Sequence, residues 1–182
     1  EKGIEVLVKL QHRGAVGGDA NTGDGAGILI QIPDEFFRRA MSSRKVELPP
    51  LGQYGAGMVF LPRDANLAKK CVSVMEKKIQ DEGFEVLGWR DVPADDSSLG
   101  KLAKDTQPLI KQFFICWKKA EINTDDFERK LYVVRSCVSK AVVAEVSEGA
   151  DYFYISSLSC RTIVYKGLLM GTQLPLYYPD LR

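Results

Sequence analysis

The chain has 182 residues, enough for one well-filled domain, and its 45% apolar and 27% charged residues are ordinary globular values. The 25 basic and 24 acidic residues give a net charge of +1 and form no basic block. This balance argues against nucleic acid or an anionic membrane as a partner. The apolar runs are far too short to form a transmembrane helix.

The first third of the chain predicts a helix, a glycine-rich loop and a strand. Apolar residues at helical spacing predict an amphipathic helix over residues 1–13. A glycine-rich loop follows over 14–27, and the apolar, β-branched run at 28–32 predicts a buried strand that Pro33 ends. Residues 34–41 are expected to form a short helix.

The middle of the chain predicts two strands around a capped helix. Residues 54–61 have the pattern of a strand with small residues on one face, and Pro62 closes it. Asp64 is placed to cap a helix with one apolar side, which Gly83 would end. A strand is predicted at 84–89, and the acidic, serine-rich stretch that follows to about residue 107 is expected to be irregular.

The last third predicts a strand, a long helix and two further strands. The strand is expected at 109–117, and Thr124, Asp125 and Asp126 suit the N-terminus of a helix that continues to about residue 146. Strands are predicted at 152–158 and 162–165. Because helices and strands mix without strict βαβ alternation, the pattern favours an α+β domain.

The glycine-rich loop invites a phosphate-binding interpretation, but the order of elements argues against it. Gly23, Gly25 and Gly27 alternate along the loop. A dinucleotide or P-loop site needs a strand, then the loop, then a helix, whereas here the helix comes first. The glycines are better explained by positive φ angles and close backbone approach where the loop enters a central strand. Arg13 could anchor Asp19 or Asp24 by an ion pair.

Catalytic and metal-binding patterns within the chain are weak. His12 is the single histidine, and no G-x-S-x-G or C-x-x-C motif is present, which argues against a catalytic triad and a metal site. The four cysteines are interpreted as reduced, mostly buried packing residues, although their spacing alone does not exclude a disulfide: Cys71, Cys116, Cys137 and Cys160. Paired carboxylates at 34–35, 95–96 and 125–126 are interpreted as capping and solvated groups.

Several segments resemble one known family. They read LQHRGA at 10–15, DANTGDGAGI at 19–28, GMVFLP at 57–62, LGWRDVP at 87–93, DYFYISSLS at 151–159, TIVYKG at 162–167 and QLPLYYPDL at 173–181. In this order they resemble the class II glutamine amidotransferase domain of glutamate synthases. The His-Arg-Gly pattern is shared across the class, whereas the continuous loop is more particular to glutamate synthases.

The resemblance implies that residues 1–182 are part of a single amidotransferase domain. The implied fold is the four-layer αββα N-terminal-nucleophile fold, incomplete at both ends. In that family an N-terminal cysteine attacks the side-chain amide of glutamine, with its own α-amino group as base and backbone and asparagine donors around the oxyanion. The nucleophile is expected upstream of Glu1, and arginine and Asn-Gly segments are expected after Leu181. No catalytic residue and no metal ligand is therefore assigned within this chain.

By resemblance, five residues support the site: His12, Arg13, Gly14, Asp24 and Gly25. The resemblance implies that the parent protein releases ammonia from L-glutamine and channels it to 2-oxoglutarate to form L-glutamate. FMN and a 3Fe-4S cluster are implied for other domains of the same chain, together with a small electron-donating subunit. The loop sequence favours the NADPH or NADH type over the ferredoxin type, and a cytoplasmic enzyme, or an organellar one in a eukaryote.

Two other interpretations remain open at the level of sequence. One is a free-standing, non-catalytic module for binding or assembly, and the other is a separately encoded glutaminase subunit. If the chain is an internal piece, it should be inactive alone. It should also expose apolar sheet surface and unpaired strand edges, and so associate with itself.

Overall fold

A computed structural model describes residues 2–10, 19, 21–119, 122–146 and 150–182 of the chain. The chain divides into two compact units. The smaller unit comprises residues 1–29, 92–107 and 164–182, and the larger unit residues 30–91 and 108–163. The described elements mix helices with antiparallel strands, which confirms the predicted α+β class.

The larger unit contains a four-stranded antiparallel sheet. Its strands are β2 (Tyr54–Leu61), β3 (Phe84–Asp91), β4 (Leu109–Trp117) and β5 (Tyr154–Ser159). They lie in the order β3–β4–β2–β5. Strand β2 pairs with β4 along its whole length, from Tyr54 opposite Cys116 to Leu61 opposite Leu109. The bounds of β2 and β4 are those predicted from the sequence.

Two helices cover one face of this sheet, α3 (Ala65–Asp81) and α5 (Thr124–Val146). Their apolar sides and the facing strand residues form one buried cluster. The predicted small face of β2 lies here: a Cβ at Gly55 would come within 2.6 Å of the Leu131 side chain, and one at Gly57 within 2.1 Å of the Phe113 ring. Glycine in β2 therefore gives space to large side chains of the core.

Capping side chains fix the starts of both helices. The Asp64 carboxylate accepts hydrogen bonds from the Asn66 and Leu67 N–H groups at 2.9 and 2.8 Å, as predicted. Gly83 follows α3 with φ +86°, also as predicted. Helix α5 begins at Thr124, and the Asn123 side chain, which the sequence interpretation missed, accepts from the Asp126 N–H at 2.9 Å.

Helix α2 (Asp34–Ser42) covers the opposite face of the sheet within the larger unit. The Phe37 ring meets the Phe114 ring edge-on with centroids 5.1 Å apart, and both side chains are fully buried. Met41 lies over Gly88, where an added Cβ would be 2.9 Å from its methyl group. Both faces of the four-stranded sheet are thus packed.

The smaller unit is built from short elements. They are α1 (Lys2–Lys9), α4 (Lys101–Asp105), α6 (Leu174–Tyr177) and three 3-10 turns, Asp96–Ser98, Gly171–Gln173 and Pro179–Leu181. Strands β1 (Ala26–Gln31) and β6 (Thr162–Gly167) form a two-stranded sheet, and the division between the units falls inside both strands. Gly25 lies beside Gly167 and Gly27 beside Tyr165, so the strands run antiparallel.

Two predictions about these elements are wrong. Strand β1 is not buried: its residues alternate between half-buried and exposed, and Leu29 is 62% exposed. An apolar run is typical of a strand covered on both faces, but in the described part of the chain the outer face of β1 carries no cover. The stretch expected to be irregular up to residue 107 contains α4 and the turn Asp96–Ser98, and β3 extends to Asp91.

The predicted helix over residues 1–13 is observed as α1 up to Lys9, and residues 11–13 lie outside the described part of the chain. Strand β5 begins two residues later and ends one residue later than predicted, since a 3-10 turn at Ala150–Tyr152 precedes it, whereas β6 begins at Thr162 as predicted and extends two residues further. Among the described residues, none of the helices is both long and apolar enough to cross a membrane.

Candidate functional site

The glycine loop, defined as Asp19 together with residues 21–27, leads into β1 in the smaller unit. Gly25 has φ +137°, a conformation that glycine adopts readily and other residues rarely do. A Cβ at Gly23 would lie 2.3 Å from the carbonyl group of Leu169, and one at Gly27 would lie 2.7 Å from the Lys166 Cβ. The prediction that these glycines provide positive φ and close approach is confirmed, although β1 is not a central strand in the described sheet.

The Asp19 carboxylate holds the loop against the start of α4. Its Oδ2 accepts a hydrogen bond from the Leu102 N–H at 3.1 Å and from the Thr22 hydroxyl at 2.9 Å. Its Oδ1 accepts from the Asn21 N–H at 3.1 Å. The Leu102 N–H, helped by the Thr22 hydroxyl, holds the pKa of the Asp19 carboxyl below its usual range. Asp19 therefore caps a helix that begins more than eighty residues later.

A second set of bonds joins the loop to the end of the chain. The Asn21 carbonyl accepts from the Gly100 N–H at 3.0 Å and from Gln173 Nε2 at 2.9 Å. Gln173 Nε2 also donates to the Ser98 carbonyl at 2.6 Å. Gly100 leaves no room for a side chain, because a Cβ there would lie 1.9 Å from Asp19 Oδ1. Three distant parts of the sequence thus meet at the base of the loop.

The structure describes two of the five predicted supporting residues. Asp24 and Gly25 lie next to each other in the exposed part of the glycine loop, directly before β1. His12, Arg13 and Gly14 lie outside the described residues, as does the suggested ion pair from Arg13 to Asp19 or Asp24. The support that these five residues give to a site therefore stays a prediction.

The four cysteines are free thiols, in agreement with the preferred interpretation. Cys71 and Cys160 are buried, whereas Cys116 and Cys137 are half-buried. Burial raises the pKa of Cys71 and Cys116, and burial together with the Glu128 carboxylate raises the pKa of Cys160 to about 12. Cys160 Sγ lies 3.1 Å from Glu128 Oε2, which keeps the sulfur protonated. A thiol that ionises so late is a poor nucleophile at neutral pH.

Among the carboxylate pairs, Asp95 caps a turn as predicted, whereas Asp34 and Asp125 form ion pairs that the sequence interpretation did not include. Asp34 starts α2 and accepts hydrogen bonds from Arg38 Nε and the Tyr54 hydroxyl, each at 2.8 Å. Asp95 accepts from the Ser97 N–H at 3.0 Å, and Asp125 pairs with Arg161. Within the described residues, no group of three His, Cys, Asp or Glu side chains is arranged to hold a metal ion.

Sequence reasoning missed the residues that bind the loop in place. In the sequence, Gln173 is only the first residue of a segment that resembles the family, and Gly100 and Ser98 lie in a stretch predicted to be irregular. Their roles depend on contacts across 75 or more residues, which local patterns do not reveal. The sequence offers one signal of this role: Gln173 is a polar residue in a largely apolar segment, and a buried amide needs hydrogen-bond partners.

Comparison with known proteins identifies the family. The model of the class-II glutamine amidotransferases matches residues 1–182. The chain is 43% identical over 182 residues to the large chain of the NADPH glutamate synthase of Bacillus subtilis, covering 100% of this chain and 12% of that relative. It is 40% identical over 184 residues to the corresponding chain of Azospirillum brasilense, covering 100% of this chain and 12% of that relative.

A plant relative is similar to the same degree. The chain is 42% identical over 173 residues to the ferredoxin-dependent glutamate synthase 2 of Arabidopsis thaliana, covering 95% of this chain and 10% of that relative. The chain thus spans only 10% to 12% of the length of these curated relatives. From the match over its whole length, together with its α+β fold and its glycine loop, we conclude that the chain belongs to the class II glutamine amidotransferase family.

Proposed function

We propose that the gene product containing this chain is a glutamate synthase, and that this chain is part of the domain that hydrolyses L-glutamine. The observation that carries the proposal is similarity over the whole chain, at 40–43% identity, to the large chains of two NADPH glutamate synthases. The glycine loop supports it further. The loop has a sequence that is particular to glutamate synthases, and hydrogen bonds of Asp19 and Asn21 fix it to α4 and to Gln173.

The proposed reaction uses a cysteine outside residues 1–182. Its thiol proton passes to the α-amino group, and the sulfur attacks the carboxamide carbon of glutamine. The C–N bond then breaks, the proton leaves with ammonia, and water hydrolyses the thioester to give glutamate. The cysteines within this chain do not suit the role, because burial raises the pKa of three of them and Cys137 is half-buried on α5. We therefore expect residues 1–182 alone to be inactive.

This chain would supply the support around that nucleophile. We propose that His12, Arg13 and Gly14 lie beside it and that Arg13 orients the site, with Asp24 and Gly25 contributing from the glycine loop. Changing Arg13 to alanine should reduce glutamine hydrolysis and leave synthesis from free ammonia intact. Arg39, an exposed residue of α2, offers the control: Arg39→Ala should change neither activity. Equal loss of both activities in Arg13→Ala would indicate misfolding instead.

The ammonia would then condense with the keto group of 2-oxoglutarate in another domain, releasing water, and two electrons from the donor would reduce the resulting imine to L-glutamate. FMN and a 3Fe-4S cluster would belong to those domains, and a small subunit would deliver electrons. The described residues of this chain do not fit a cluster, since no three cysteines come together. We favour NADPH or NADH as the donor and the cytoplasm, or an organelle in a eukaryote, as the location.

The experiment is an assay of the purified full-length gene product. We expect it to form glutamate from glutamine and 2-oxoglutarate with NADPH or NADH, and to hydrolyse glutamine. Activity with reduced ferredoxin but not with NADPH or NADH would identify ferredoxin as the electron donor. A protein that only hydrolyses glutamine would be a separately encoded glutaminase, and one with neither activity would be a binding or assembly module.

A further inference from the structure

Gln173 is a buried side chain that uses its whole amide group to hold the glycine loop. It ends the turn Gly171–Gln173 and is 4% exposed. Its Nε2 donates to the Asn21 and Ser98 carbonyls, and its Oε1 accepts from the Met170 N–H at 2.7 Å. An amide has two N–H donors and one oxygen, so every polar atom of this side chain is used.

The bond to Asn21 fixes the entry to the loop. The Asn21 carbonyl accepts two hydrogen bonds, from Gln173 and from the Gly100 N–H, which occupy both of its lone pairs. Thr22 and Gly23, the next two residues, are closely packed: Thr22 is 1% exposed, and a Cβ at Gly23 would lie 2.3 Å from the Leu169 carbonyl group. Neither residue can move enough to compensate for a displacement of Asn21. A displacement of Asn21 is therefore passed on to the exposed residues that follow.

The chemistry of the side chain distinguishes this role from packing. A residue that only fills space at this position would be apolar, since burying an amide is unfavourable unless its groups are bonded. Glutamate of the same length keeps the acceptor for Met170 but has no donors, and it places an anion against two carbonyl oxygens. Methionine fills a similar volume with none of the bonds. Only glutamine satisfies Asn21, Ser98 and Met170 together.

We propose that Gln173 is a positioning residue for the glutamine-hydrolysing site. It holds the backbone of Asn21 so that Asp24 and Gly25 are presented in one fixed place. Gln173 acts through the loop, and no contact with the substrate is assigned to it. This inference rests on the proposed function.

The test compares Gln173→Glu and Gln173→Met with Gln107→Met in the full-length gene product. Gln107 is the matched control, because its Nε2 donates to the Tyr177 hydroxyl at 2.8 Å in the same unit but does not touch the loop. We expect kcat/KM for glutamine to fall by about 10- to 100-fold in both Gln173 variants, as expected for a misplaced site. The rate of the Gln173 variants with free ammonia should stay at the wild-type level. The Gln107→Met enzyme should keep the wild-type kcat/KM for glutamine.

Each other result has a definite meaning. Gln173 variants with the kcat/KM of Gln107→Met would overturn the positioning role while leaving the proposed function intact. Equal loss of the glutamine- and ammonia-dependent rates, with a lower melting temperature, would show a purely structural role and also overturn it. A wild-type enzyme without glutamine hydrolysis would refute the proposed function itself.

Discussion

Replacing Gly100 by alanine tests whether the glycine loop is packed as closely as its hydrogen bonds indicate. Gly100 has φ −71° and ψ 165°, which any residue can adopt, so alanine adds no backbone strain. Its Cβ would instead lie 1.9 Å from Asp19 Oδ1 and 2.4 Å from Thr22 Oγ1. Asp19 must therefore move away from the Leu102 N–H.

The magnitude follows from two opposing effects. Adding a methyl group to a filled site costs about 1–3 kcal/mol. Alanine also lowers the conformational entropy of the unfolded chain. Because the folded backbone at this position tolerates alanine, this entropy effect stabilises the protein by about 0.4–1 kcal/mol. We expect a net loss of about 1–2 kcal/mol in the free energy that keeps the loop closed, which corresponds to amide exchange about 5- to 30-fold faster.

Hydrogen exchange followed by mass spectrometry of the full-length gene product measures this loss. Peptides containing Thr22 and Leu102 should exchange faster in Gly100→Ala, while peptides from β2 and β4 should not change. Asp19→Ala removes the clashing carboxylate, so Asp19→Ala/Gly100→Ala should lose less protection than the two single changes together. Additivity within about 0.3–0.5 kcal/mol would refute the contact.

Three further predictions concern other described residues. Cys160, 2% exposed and with its pKa raised to about 12, should resist alkylation at pH 8 until the protein is denatured, and rapid labelling of the native protein would contradict this. Tyr178→Phe removes the hydrogen bond that the hydroxyl donates to the Lys166 carbonyl at 2.8 Å and should lower the free energy of unfolding by about 1–2 kcal/mol in denaturant titrations; no change would show that water replaces the bond. The Arg38 guanidinium holds the pKa of Asp34 below 3.8 in the folded state. The interaction between Asp34 and Arg38 therefore stabilises the folded protein above pH 3.8, and this stabilisation is lost as the pH falls through the lowered pKa. Asp34→Asn should therefore be less stable than the wild type at pH 7 and equal to it in stronger acid, and a difference independent of pH would argue against the ion pair.

Elements whose signals are local could be predicted from the sequence. The β-branched and aromatic runs of β2 and β4 end at prolines or turns, and their observed bounds agree with the prediction. Helix α5 combines an apolar side with carboxylates in its first turn, and it spans the predicted residues. Asp64 and Gly83 serve as predicted because capping depends on residue type and neighbouring backbone alone.

Elements that depend on distant contacts could not be predicted. Helix α4 has five residues, too few to show a periodic pattern, and its start is capped by Asp19 from far along the chain. The run that forms β1 resembles a strand buried on both faces, yet Leu29 is exposed, because sequence alone does not state what covers a strand.

In the candidate site, too, features with local sequence signals could be predicted, and features that depend on distant contacts could not. The residue types of the glycine loop predict positive φ at Gly25 and close approach at Gly23, and both are observed. The residue pattern alone indicates no reaction, and the proposed reaction is implied by the family resemblance. The hold that Gln173 exerts on Asn21 joins residues 152 positions apart and becomes visible only in three dimensions.

Labelling with an electrophilic glutamine analogue tests whether the nucleophile of glutamine hydrolysis lies outside this chain. The full-length gene product would be treated with 6-diazo-5-oxo-norleucine, digested and mapped by mass spectrometry. We expect a single modified cysteine at the mature N-terminus, outside residues 1–182, with loss of glutamine hydrolysis in the same proportion. Modification of Cys71, Cys116, Cys137 or Cys160 with loss of activity, or full hydrolysis after labelling, would contradict it.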